Sequence, residues 1–166
     1  MNLQAVARVY ESSPSIPQDE TTRRVYAVFA RECAYQFRAI LETGGLNVRF
    51  VDVDPYKSSM EMFKDIAENN TLRVFTGGEA HPVWTREENS TFRAVHDYFG
   101  HYMTGSGFGP TGETEAWKAH RAMFSIVARP ALDVETIGQV AVYFAGSKPK
   151  QYAEQKAFLF PSEVLA

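Results

Sequence analysis

Residues 47–76 read NVRFVDVDPYKSSMEMFKDIAENNTLRVFT. Two runs carry strand character: NVRFVDVD (47–54), with Val48, Phe50, Val51 and Val53, and TLRVFT (71–76). Between them, Ser58 followed by Glu61 is a capping-box pattern that opens a helix to about Asn69. Strand, short helix and strand together suggest a small parallel pair, because parallel neighbours need a crossover. Elsewhere the apolar residues recur at helical spacing. The expected fold is mainly α (α+β): a helical domain with a small two-stranded β element near residues 47–76.

Outward from that stretch the helices follow from caps and stripes. A short helix over about 3–10 precedes the breakers Pro14 and Pro17. Asp19 can cap a long helix whose stripe is Val25, Val28, Phe29, Cys33, Phe37, Ile40 and Leu41, ended by Gly44-Gly45. Thr85 and Glu88 form a second capping box, before Phe92, Val95, Phe99 and Met103 on one face. The glycine-rich GSGFGPTG (105–112) ends that helix, and Thr111 can cap the next, which carries Trp117, Met123, Phe124 and Val127. Pro130 opens another, and Pro149 precedes a last short helix through about Phe158.

The chain of 166 residues suits one globular domain, 1–166. A net charge of −3, with Lys and Arg scattered, gives no basic face for nucleic acid. No apolar run approaches membrane-spanning length, and the N-terminus lacks a signal-peptide pattern. The single cysteine, Cys33, excludes an internal disulfide and sits on an apolar stripe, so it reads as core in a cytoplasmic protein. P-loop, HExxH, GxSxG and CxxC patterns are all absent. GFGPTG (107–112) matches GxGxxG in letters, but no strand precedes it, so a dinucleotide site is not expected.

All four histidines, His81, His96, His101 and His120, fall within 81–120. Imidazoles and carboxylates are the usual ligands of zinc and iron. His96 and His101 stand in AVHDYFGHYM (94–103), five residues apart. On a regular α-helix that spacing turns them roughly 140° apart. They converge only if the helix distorts near Gly100. Otherwise His96 is a hydrogen-bonded core residue and His101 caps a helix end. Glu113 and His120 share a helix face but are separated along it by about 10.5 Å. Of the two, His120 is expected nearer the site. Glu135 and Gln139 lie one turn apart and can face one pocket.

The segment VHDYFGH resembles the iron-binding signature of bacterial aromatic amino-acid hydroxylases. That resemblance implies His96 and His101 as ligands, with a carboxylate some tens of residues downstream; Glu135 in DVETIGQV matches. Asp97 would then orient an imidazole. A wider layout is similar to uncharacterised phage-encoded proteins: FRAVHDYFGH (92–101), GETEAWKAH (112–120), ETxGQ (135–139) and AEQKAF (153–158). It implies a phage origin, hence a host cytoplasm, and no activity. HDYFGH also resembles the His-Asp pair of HD-type phosphohydrolases, with one residue too many. There Asp97 would be a ligand, joined by His81 and Asp133.

The functional expectation is a phage-encoded, metal-dependent enzyme with a mononuclear His/His/carboxylate site for a divalent Fe, Zn or Mn ion. His96, His101 and Glu135 are the leading ligands, with His120 and Glu113 nearby or alternative. Asp97 and Gln139 are the candidate catalytic groups. Iron implies oxygen-dependent oxidation of a small molecule; zinc or manganese implies hydrolysis, a nucleotide being one candidate substrate. A non-enzymatic phage accessory or anti-defence protein with a closed structural metal site is the third expectation.

Overall fold

The computed structural model describes residues 1–165 and is mostly helical. In chain order the elements are α1 (Leu3–Ser12), α2 (Glu20–Gly44), β1 (Asn47–Val51), α3 (Ser59–Asn69), β2 (Thr71–Phe75), α4 (Arg86–Val95), α5 (Pro110–Ala122), α6 (Arg129–Asp133) and α7 (Gln139–Ala145). β1 and β2 pair in parallel, Asn47 opposite Thr71 through Val51 opposite Phe75, with α3 as the crossover. Two junctions are wound as π-helix: His96–Tyr102 continues α4, and Val134–Gly138 joins α6 to α7. No described helix is long and apolar enough to cross a membrane.

Local chemistry sets the helix starts. The Asp19 carboxylate accepts from the Thr22 amide, the Ser58 hydroxyl from the Glu61 amide, and Thr85 with Glu88 closes a reciprocal capping box. The start of α5 differs from expectation. Gly109 takes the cap position, with Pro110 in the first turn, so Thr111 is already inside the helix.

The main core gathers around α2, where Phe29 packs on Trp84, Phe92 and Phe124. Cys33 is buried on that face, and burial pushes its thiol pKa up, as a core residue requires. A second cluster seats α1 on α7 and on Phe158.

The helix expected near 150–158 does not form. Residues 152–161 run in irregular conformation, and only Ser162–Leu165 make a 3₁₀ turn. Tertiary partners hold this segment instead. The Ile16 amide donates to the Ala157 carbonyl at 2.7 Å, and Tyr10 Oη donates to the Glu154 carbonyl at 2.8 Å. Lys156 Nζ donates to the carbonyls of Tyr10 and Glu11 in the last turn of α1 and of Ser13 at its C-cap. Those carbonyls are ones a helix end leaves without partners, and the ammonium satisfies them. Met103, expected on the apolar face of α4, is exposed because the π segment turns it outward.

A candidate metal centre beside a second carboxylate cluster

The π winding answers the spacing problem of His96 and His101. Amides bond carbonyls five residues back: Met103 to Tyr98 at 2.9 Å and Ser106 to His101 at 3.0 Å. Residues five apart therefore stack one turn above another. The imidazole centroids of His96 and His101 come to 5.0 Å. Gly100 permits the approach, since a Cβ there would sit 2.9 Å from His96 Nδ1 and 3.3 Å from the Ala116 carbonyl.

Glu113, in the first turn of α5, completes the group. One ligand atom each from His96, His101 and Glu113 lies within 4.8 Å of the others. Bonds of about 2.0–2.2 Å to one ion would require these side chains to draw together. The loop before α5 folds back tightly; a side chain at Gly112 would run into the backbone of Gly107. Phe108 in that loop packs its ring edge-on to His101 at 5.0 Å.

Hydrogen bonds fix which nitrogen each histidine offers. His101 Nδ1 donates to the Ser106 carbonyl at 3.0 Å, which leaves Nε2 facing Glu113 Oε2 at 3.5 Å. His120 Nε2 donates to Gln36 Oε1 at 2.8 Å. His120 Nδ1 is then a lone pair, and it accepts from His96 Nδ1 at 3.1 Å. His96 Nε2 is left unprotonated, the form that binds a metal. His120 thus supports His96 from behind, and the structure does not group it with the three ligand candidates.

The electrostatics agree. Burial, then the neighbouring His101 and His120, holds His96 well below the usual histidine range. Burial and His101 bring His120 down to about 3. At His101 burial opposes the charge, but Glu113, Asp97 and the Ser106 carbonyl outweigh it and raise the pKa. A proton and a metal ion would compete for that nitrogen. Asp97 is pushed up to about 7, by burial first and Glu113 next, against the pull of His101 and Arg93.

Glu135 is placed elsewhere. Its Oε1 accepts from Tyr26 Oη at 2.7 Å and from His81 Nε2 at 3.0 Å, and its Oε2 accepts from Gln139 Nε2 at 2.9 Å. His81 Nδ1 accepts the amides of Val83 and Trp84, so the proton belongs on Nε2. The second π segment carries Glu135. Asp133 is taken up by Arg121 and by Trp117 Nε1 at 2.7 Å, away from the histidine pair. The place beside the histidine pair that the hydroxylase resemblance implied for Glu135 is thus taken by Glu113. The assumption of a regular helix hid this, because the folded-back glycine loop, not the α5 axis, brings Glu113 to His101.

Both clusters open on one cavity of about 670 Å³. His96, Asp97 and Glu113 line one part of it, and Glu135 and Gln139 another. Phe75, Gly77 and Gly78 bring it to the carboxyl end of β2, where ligands of parallel strands usually bind. Phe92, Phe108, Tyr143 and Phe144 supply aromatic walls. Helix α2 backs both clusters, with Tyr26 on Glu135 and Gln36 on His120. No family model matches the chain, and no curated protein or solved structure matches it either.

Proposed function

We propose that this protein is a metal-dependent enzyme acting on a small molecule in the cavity, with His96, His101 and Glu113 as ligands of one divalent ion. The carrying observation is the π segment, which stacks two histidines five residues apart against Glu113. π turns inside helices concentrate at functional sites. Two imidazoles and one carboxylate leave coordination positions for substrate, the donor set of non-haem iron oxygenases. The ion would supply an electrophilic centre and, if iron, a place for dioxygen. The chain supplies the rest: His120 and Gln36 hold the tautomer of His96, the aromatic walls restrict water, and Asp97 stands where it can hold a proton near neutral pH.

The same donor set suits zinc or manganese and hydrolysis, so metal identity separates the two chemistries. The structural-clip reading is less well supported, because the group borders an open cavity rather than a closed shell. Elemental analysis of protein purified without a metal-affinity tag is the test. About one equivalent of iron supports the oxidative reading, and zinc or manganese the hydrolytic one. Wild-type protein that retains no metal after incubation with each ion overturns both.

A further inference from the structure

Arg93 is a half-buried cation in the cavity wall, one helical turn before His96. Its Nη1 donates to the carbonyls of Phe75 at 2.8 Å and Gly77 at 2.9 Å, which uses both protons of that nitrogen. The Nε–Nη2 edge has no protein acceptor among the described residues. That edge is the side-on fork which binds a carboxylate or phosphate through two parallel hydrogen bonds. Nη2 lies at the cavity wall, 3.6 Å from where a Cβ on Gly78 would be.

The other part-buried arginines contrast with it. Arg121 is paired with Asp133 at 2.8 Å. Arg129 donates Nε to the carbonyls of Arg121 and Phe124 and is not among the residues that line the cavity. Arg93 alone combines a place in the cavity with a free fork. Asp97 and Glu135 act on it only from beyond ion-pair distance, and burial lowers its pKa. A desolvated guanidinium without a counter-charge is costly unless something anionic joins it.

We propose that Arg93 anchors an anionic group, a carboxylate or a phosphate monoester, on a substrate whose aromatic or apolar body lies against the cavity walls. The proposal rests on the metal reading for what happens to that substrate, but the anchoring itself does not need the ion. Clamping the end of β2 explains Nη1 and leaves the fork unexplained.

Benzoate, phenyl phosphate and neutral benzyl alcohol serve as probes, titrated calorimetrically into metal-loaded protein and into chelator-treated protein. At least one anion should bind in both forms, and Arg93→Gln should weaken it by tenfold or more. Benzyl alcohol should bind both variants alike. The tighter anion tells a carboxylate from a phosphate substrate. Arg93→Lys keeps the charge without the fork and should fall between; it carries the test if the Gln variant does not fold. Failure of both anions on wild-type protein overturns the proposal. So does equal anion binding by wild type and Arg93→Gln, or an equal loss of benzyl alcohol. An anion that binds only with metal present has the ion, not Arg93, as its anchor. Metal retention is measured separately on each sample, so failure of the metal reading is seen independently.

Discussion

His120 presents its Nδ1 lone pair to His96 Nδ1 at 3.1 Å, and Gln36 Oε1 fixes His120 in that tautomer from 2.8 Å. The three groups form one line from α2 through α5 to the π segment. Its effect is to leave His96 Nε2 free for a ligand bond. His120→Ala should therefore lower metal affinity by about 10–100-fold, the usual effect of losing such a support. Gln36→Leu should act in the same direction and less strongly. Competition with a chromophoric chelator measures both, with circular dichroism to confirm the helices. Unchanged affinity in both variants would show the relay to be packing alone.

Gly100→Ala sets helix propensity against site geometry. Alanine is the better helix former by about 1 kcal/mol. Its Cβ, however, would stand 2.9 Å from His96 Nδ1, the atom bonded to His120. The imidazole must move, or the Ala116 carbonyl must yield. Metal affinity should fall at least tenfold while helix content stays the same. A variant that binds metal normally would mean that the ring has room the geometry does not show.

The pH response follows from His120 and His96. Both have folded-state pKa values below the unfolded value near 6.5, His120 at about 3. A depressed pKa means the unfolded chain takes up protons first. Their contribution is fully present above pH 6.5 and is lost as pH falls toward 3. In chelator-treated protein the melting temperature should decline across that window, and His120→Gln should flatten the decline. Because Asp97 and His101 titrate with the opposite sign across this window, the comparison between the two proteins is the test: an identical pH dependence in wild type and His120→Gln would contradict the depressed pKa of His120.

Asp97 acts with the opposite sign. Its folded pKa of about 7 lies above the model-compound value of 3.8. The folded chain holds that proton more tightly, so its contribution is complete below about pH 4 and is lost as pH rises through 7. Asp97→Asn mimics the protonated form and should raise the melting temperature at pH 8 but not at pH 4. An equal shift at both values would assign the effect to packing.

The fold was readable where local chemistry decides it. Capping residues Asp19, Ser58 and Thr85 and the two strand runs stand where the elements begin. The 150–158 stretch was not readable, because its backbone partners lie in α1 and the turn after it, some 140 residues earlier. At the site, the histidine pair was visible as a motif, and Gly100 marked where the helix would distort. Which carboxylate joins the pair was not: Glu113 stood only as an alternative behind Glu135, because it reaches His101 through a folded-back loop that periodicity does not describe. Gln36 and Tyr26 carried no signal at all. A polar residue on an amphipathic helix reads as solvated until its partner is known.

Glu113 and Glu135 give opposite expectations for the same substitution. Glu113→Gln removes the one carboxylate grouped with the two histidines, and retained metal should fall strongly at little cost in stability. Glu135→Gln removes a charge that accepts from Tyr26, His81 and Gln139. The amide that replaces one oxygen is a donor and would face donors already there. Losing acceptors for buried donors costs about 1–3 kcal/mol. Glu135→Gln should therefore lower the melting temperature by several degrees and leave the metal equivalent in place. Tyr26→Phe should destabilise through the same carboxylate, also without loss of metal. Metal analysis and thermal melts on the three variants, side by side, check this. Metal lost from Glu135→Gln and retained in Glu113→Gln would return the ligand role to Glu135 and would require α5 to move away from the histidines.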